Sequence, residues 1–264
     1  MSQSKLLLLF DVDGVVTDEH ARVDTGTVER IIDFMVGGAR VGFITGRSRT
    51  WLEAQLVPLL EAIEEDTPEA VLAAEMGAVR FVEGEWLVSA EHAVVGPARS
   101  QLRSLADQPK YSAWLEWDST KEATATFEAL HDPATHGHAE RARNALAELM
   151  EDVRPLATRH GYRAALSTYA LDVLAPSLSK AVGAEFAIDA LRAPGEPRQT
   201  VVFGDSTGDL EMAVTARSML KVPVTFVWLG QGAPPALPDA SDGIALVTAS
   251  EPHAPGTRGY LATL

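Results

Sequence analysis

The sequence predicts an α/β fold: a doubly wound parallel sheet interrupted by an inserted α+β domain. Three observations carry that expectation. Short, wholly apolar runs, led by Leu6-Leu7-Leu8-Leu9-Phe10, read as strands covered on both faces. Helical patterns follow such runs one by one in the first eighty residues and again after about residue 175. Between them, residues 82–174 lose this alternation and read as helix, two strands, helix, two strands, with an antiparallel character. The expected division is therefore 1–81 with 175–264 as the core and 82–174 as the insertion.

The elements follow in order. Leu6–Phe10 is a buried strand that stops at Asp11-Val12-Asp13-Gly14-Val15. Two carboxylates so close repel each other unless a cation joins them or one holds a proton, although an acidic turn is the plain alternative. Residues 25–37 are helical, with Val28, Ile31, Ile32 and Met35 at helical spacing and Gly37-Gly38 at the end. Arg40–Ile44 is a strand running into Thr45-Gly46-Arg47-Ser48. A helix over 49–65 follows, so this junction is either an N-cap or an anion site made of a hydroxyl and unpaired amides. Residues 70–74 form a third strand, and 79–87 a hairpin about Glu83-Gly84.

Within the insertion, Pro97–Asp107 is helical, Tyr111–Trp117 and Ala123–Leu130 are paired strands, and His138–His160 is a long helix. Arg163–Tyr169 and Leu171–Leu174 are two more strands. Lys121 and Glu122 stand at a turn between strands, where they either face substrate or form an exposed hairpin tip. His131, His136 and His138 with Asp132 favour a polar loop over a metal site, because no second cluster matches them. Trp114 and Trp117 lie on opposite faces of a regular strand, so at most one can line a pocket. Afterwards Lys180 opens a helix running to Leu191. Thr200–Phe203 is a strand delivering Gly204-Asp205-Ser206-Thr207-Gly208-Asp209, and a helix begins near Leu210. Val224–Leu229 and Ile244–Val247 are the last strands, joined by a Pro/Gly-rich loop.

Composition narrows the chemistry. With no cysteine among 264 residues, thiolate nucleophiles, disulfides and cysteine metal sites are excluded, which leaves oxygen ligands for any metal. A net charge of −15 argues against a nucleic-acid partner. No apolar run approaches a membrane span and no leader pattern is seen, so a cytoplasmic setting without a membrane partner is expected. Lysine occurs only at 5, 110, 121, 180 and 221. Lys180 is unusual at a helix start, where the dipole disfavours a cation unless an anion faces it.

In a doubly wound sheet the carboxyl ends of the strands share one edge, so Asp11 and Asp13, Thr45 and Gly46, Lys180, and Asp205 and Asp209 can converge. In this order and context they resemble the four motifs of the haloacid dehalogenase superfamily: Asp-x-Asp with a following glycine, a Thr after a strand, a lysine, and Gly-Asp-Ser with a further acid. Thr45 lies 34 residues after Asp11, and Lys180 a further 135 on. The insertion therefore falls between the second and third motifs. That position resembles the branch of sucrose-phosphate, trehalose-phosphate, mannosyl-phosphoglycerate and archaeal phosphoglycolate phosphatases, which implies a Rossmann-like core with a cap over the site. One residue departs from the pattern: Val15 stands where the superfamily commonly has Thr. An Asp-Val-Asp-Gly-Val start also resembles the capless phosphatases of keto-deoxy-octulosonate phosphate.

The resemblance implies a phosphatase for a small phosphorylated metabolite, a sugar phosphate or related organic acid phosphate, with Mg²⁺ as cofactor. Asp11 would be the nucleophile that forms an aspartyl-phosphate and Asp13 the acid and base. Lys180, Thr45 and Gly46 would hold the phosphoryl group. Asp11, Asp13 through its carbonyl, and Asp205 would hold the metal, with Asp209 ordering water or Lys180. Arg47 and Lys121 are possible substrate contacts. A phosphotransferase or phosphosugar mutase uses the same intermediate, and a noncatalytic phospholigand-binding module is the reading from another class.

Overall fold

The computed structural model describes residues 5–61, 70–82, 84–130, 137–167, 169–191, 197–237 and 242–264. From the N-terminus come β1 (Leu6–Phe10), α1 (Thr25–Val36), β2 (Arg40–Ile44), α2 (Arg49–Gln55), α3 (Val57–Leu60), β3 (Val71–Ala74), β4 (Val79–Val82) and β5 (Glu85–Val88). Then follow α4 (Gly96–Ala106), α5 (Pro109–Ser112), β6 (Leu115–Trp117), β7 (Ala125–Ala129), α6 (His138–Arg159), β8 (Arg163–Leu166) and β9 (Ala170–Leu174). The chain ends with α7 (Lys180–Leu191), β10 (Gln199–Gly204), α8 (Leu210–Leu220), β11 (Val224–Trp228), β12 (Ile244–Thr248) and α9 (His253–Leu261). Two compact units result, Met1–Leu87 with Ser179–Leu264, and Val88–Leu178.

The first unit is built on an eight-stranded sheet of order β12-β11-β10-β1-β2-β3-β4-β5. The pairs from β12 through β3 are parallel, and β4 turns back antiparallel on β3. Every residue of β1 is buried, as its unbroken apolar run requires of a central strand with both faces covered. Leu7 and Leu9 share a core with Ala184, Ala187 and Ile188 of α7 and with Met212, Ala213 and Ala216 of α8. On the opposite pleat, Phe10 stacks between Phe43 and Phe203, and Phe203 meets Tyr260 of α9 edge-on. The chain winds from β1 outward to β5 on one side and from β10 outward to β12 on the other. The direction of winding thus reverses between β1 and β10, where open α/β sheets bind ligands.

The second unit has its own core. Its antiparallel sheet runs β6-β7-β9-β8. Ala125, Phe127, Leu171 and Val173 from that sheet pack with Leu102 of α4 and Leu146, Leu149 and Val153 of α6.

Several expectations need correction. The helix predicted over 49–65 breaks at Leu56, because Pro58 has no N–H to continue the ladder. A short α3 follows, and residues 62–65 lie outside the described segments. Tyr111 is helical rather than extended: Pro109 opens α5, and the buried Tyr111 ring sends its hydroxyl to Asp152 Oδ2 at 2.8 Å. Because β5 extends the main sheet, the units divide at Leu87 and Leu178, not at 82 and 174. Glu83 of the predicted hairpin turn lies outside the described residues, as do His131, Asp132 and His136. Helix α9 was not expected at all, since Pro255, Gly256 and Gly259 give it no helical signature.

Candidate active site

Side chains alternate along a strand, so Asp11 continues the pleat of Leu7 and Leu9 and faces the α7 side of the sheet. Its N–H still pairs with the Phe203 carbonyl at 3.1 Å, which fixes the residue at the strand's end. The chain then turns tightly, with the amides of Val15, Val16 and Thr17 all directed at the Val12 carbonyl, at 3.2, 2.9 and 3.2 Å. Gly14 is demanded twice over in this turn. Its φ is +66°, and a Cβ would stand 2.0 Å from Asp205 Oδ2. By contrast, a Cβ at Gly46 would meet nothing within 4 Å.

Lys180 reaches the same place from the first residue of α7. Its Nζ lies 2.5 Å from Asp11 Oδ1, 2.8 Å from Asp209 Oδ1 and 3.3 Å from the Ile44 carbonyl. The approach depends on two glycines in contact. A Cβ on Gly77 would lie 2.5 Å from the Gly183 Cα, and one on Gly183 would lie 2.5 Å from Ile44 Cγ2. Met76, in the turn after β3, donates its N–H to the Thr45 carbonyl at 2.7 Å, so this turn, β2 and the start of α7 meet behind the lysine. Burial works against the charge of Lys180, but Asp11 and Asp209 outweigh it and hold the ammonium protonated above its ordinary range.

Asp209 is fully buried, and both of its oxygens are engaged. Oδ2 accepts from the amides of Asp205 at 3.1 Å and Ser206 at 2.9 Å, and from the Ser206 hydroxyl at 2.8 Å. It therefore ties the loop after β10 to Lys180. Asp205 stands beside Gly14, and burial, reinforced by the charge of Asp209, raises its pKa to about 6. Burial also pushes Asp11 well above the usual carboxylate range, with Asp209 and Asp13 adding to the push against the pull of Lys180.

Asp11, Asp205 and Asp209 present oxygens within 4.8 Å of one another. Lys180 is shared between Asp11 and Asp209, so a single ammonium faces this group of three carboxylates. An all-oxygen set of buried and half-buried carboxylates, with Asp11 and Asp205 raised first by burial and then by neighbouring negative charge, fits a hard divalent cation.

Thr45 is buried at the end of β2, where its Oγ1 accepts the Arg47 N–H at 3.1 Å. Ser48 supplies the N-cap of α2. Arg47, expected as a substrate contact, forks onto Asp13: Nε lies 3.0 and 2.9 Å from the two carboxylate oxygens and a terminal nitrogen 2.7 Å from Oδ1. Its guanidinium also lies 5.2 Å from the ring centre of Trp51.

In the second unit, Lys121 is buried rather than at an exposed tip, and its carbonyl accepts from Arg99. Trp114 packs on His138 at 5.2 Å between ring centres, and Trp117 packs on Phe127 at 5.3 Å. Val15, the one departure from the expected motif, is fully buried, and its carbonyl accepts the Thr257 hydroxyl at 2.7 Å. Thr257 lies on the unexpected α9, so sequence pattern offered no route to it. The paired glycines 77 and 183 were likewise missed, because nothing in the sequence links them.

Curated proteins include no significant match in sequence. Among solved structures, protein 0175 of Thermoplasma acidophilum superposes with a TM-score of 0.63 at 17% identity, covering 97% of this chain and 96% of that one. The sucrose-phosphatase of Synechocystis, solved with sucrose and phosphate, superposes with a TM-score of 0.59 at 17% identity, covering 98% and 97%. The trehalose-6-phosphate phosphatase of Aspergillus fumigatus gives 0.53 at 18%, covering 99% and 94%. These likenesses establish a shared fold. Residues 6–217, which carry all the motif positions above, match the family model for haloacid dehalogenase-like hydrolases, and the chain belongs to that family.

Proposed function

We propose that the chain is a Mg²⁺-dependent phosphomonoesterase that works through an aspartyl-phosphate on Asp11 and acts on a small phosphorylated metabolite. The observation that carries this reading is the position of Lys180, held between Asp11 and Asp209 at the winding reversal of the sheet. An ammonium there offsets charge on the nucleophile and on the incoming phosphoryl group, while the acid chemistry falls to Asp13 two residues on.

In the first step an oxygen of Asp11 bonds to phosphorus as the ester P–O bond breaks, and Asp13 gives its proton to the departing alkoxide. In the second, Asp13 takes a proton from water, whose oxygen bonds to phosphorus. The Asp11 O–P bond then breaks and inorganic phosphate leaves. Thr45 with the Gly46 amide contacts phosphoryl oxygens, and Arg47 aims the Asp13 carboxylate. Asp11, Asp205 and the Asp13 carbonyl would hold Mg²⁺. Bound there, the cation supplies the positive charge that lets a phosphate dianion approach two carboxylates.

The sugar-phosphate class is favoured because the fold extends over nearly the full length of a sucrose-phosphatase and a trehalose-6-phosphate phosphatase. The separate core of Val88–Leu178 is suited to act as a cap that selects the leaving group. The test is phosphate release from a panel of sugar, glycerate, glycolate and nucleotide phosphates, with and without Mg²⁺. Turnover should require the metal and fall at least about a thousandfold in Asp11→Asn. Comparable hydrolysis by that variant would refute the nucleophile, and little turnover of any ester by the wild type would favour a phosphotransferase.

A further inference from the structure

We infer that α9 braces the nucleophile turn and that Thr257 is a positioning residue for Asp11 and Asp13. This rests on the reading of Asp11 as nucleophile. The turn meets its own amide needs by sending Val15, Val16 and Thr17 to the Val12 carbonyl, while Gly14 N–H goes to the Thr17 hydroxyl at 2.9 Å. Its next three carbonyls need donors from elsewhere. Val16 receives the Asp24 amide at 3.0 Å, Val15 the Thr257 hydroxyl at 2.7 Å, and Thr17 the Ala254 amide at 3.3 Å. Two of the three donors belong to α9.

The helix is itself pinned on several sides. Arg258 pairs with Asp24 Oδ1 at 2.7 Å, the same oxygen that caps α1 through Thr27. The Thr27 hydroxyl also donates to the Ala254 carbonyl at 3.0 Å, and the His253 amide donates to the Leu229 carbonyl at 3.2 Å. Tyr260 closes on Phe203, one residue before Gly204 and two before Asp205. The nucleophile strand thus has α7 on one face, reaching the Asp11 side chain through Lys180, and α9 on the other, gripping the backbone that follows.

Thr257 is fully buried, and a valine in its place keeps the shape while leaving the Val15 carbonyl without a donor. Displacing reacting atoms by a fraction of an ångström lowers the rate of the chemical step more than the affinity for substrate.

Thr257→Val is therefore expected to lower kcat for Mg²⁺-dependent phosphate release about tenfold to a hundredfold with KM changed less than about threefold, and Thr257→Ser to restore most of kcat. Amide hydrogen exchange at residues 14–17 should accelerate in Thr257→Val while exchange in β10 stays as in the wild type. If Thr257→Val does not fold, Arg258→Ala loosens the same helix from its exposed side and should show a smaller change in the same direction. Unchanged kcat and unchanged exchange at 14–17 would overturn the brace. So would a uniform rise of exchange through the unit with kcat per folded molecule preserved. Should the wild type hydrolyse no phosphate ester, the proposed function fails by itself, and the exchange pattern alone then decides whether α9 holds the turn.

Discussion

Asp205 shows how one residue reports on the whole site. Its folded pKa, about 6, lies above the value near 4 of an unfolded chain, so between those values the folded state holds more proton than the unfolded one. This contribution to stability is complete below about pH 4 and is lost as pH rises through 6. In metal-free protein the group should therefore lower stability by up to about 2 kcal/mol between pH 4.5 and 7. Melting temperatures of wild type and Asp205→Asn in chelator should converge at the acidic end and separate toward neutrality, with the variant the more stable. Saturating Mg²⁺ should reverse the order, since the amide is a poor partner for the cation. Parallel pH profiles would contradict the assignment. The placement of Asp205 at a strand end was legible in the sequence, as were those of Asp11, Asp13, Thr45 and Lys180, because the proposed chemistry needs those residue types at strand ends and a helix start. Arg47 was legible only as a candidate: its fork onto Asp13 depends on a side-chain direction that spacing does not specify.

Elements supply the precision that these residues need, and much of it comes from contacts no pattern announces. Gly183 sits inside α7 where alanine would ordinarily improve the helix by about 1 kcal/mol. Here a Cβ would press to 2.5 Å from Ile44 Cγ2 and 3.1 Å from the Met76 carbonyl, and forced overpacking costs about 1–3 kcal/mol. The clash should win. Gly183→Ala is expected to be net destabilised by about 1 kcal/mol and to lose kcat disproportionately, because the first turn of α7 carries Lys180. A stabilised variant with full activity, by thermal melting and phosphate release, would show that the two glycines merely happen to lie close. Elements with an uninterrupted signal were legible: β1 with five apolar residues, α1 with its helical spacing, β10 running into Gly-Asp-Ser. Those that failed had their signal masked. Aromatic residues made 111–117 read as one strand although Pro109 and the Tyr111 hydroxyl bond to Asp152 hold its start helical. In α9 the glycines and proline conceal a helix that tertiary contacts sustain.

At the scale of the molecule, charge sets a condition that neither residue nor element reveals. The chain carries a net −15, and the site itself gathers four carboxylates against Lys180 and Arg47. The proposed substrate, a phosphate dianion, would therefore approach through a repulsive field until it came within reach of the lysine and of the metal proposed to bind there. Raising ionic strength from 0.01 to 0.15 M shortens the screening length from about 30 to about 8 Å. That removes the long-range repulsion but barely touches the buried contacts at 2.5–2.8 Å that hold Lys180 in place. The expected outcome, at saturating Mg²⁺ and fixed pH, is a several-fold rise of kcat/KM for a dianionic ester with added KCl, carried by a falling KM while kcat stays constant. The opposite slope, with KM rising as salt is added, would mean that the field at the mouth of the site is positive despite the net charge. Positive charge concentrated near the entrance would then govern capture, and the acidic surface would be electrostatically remote from it.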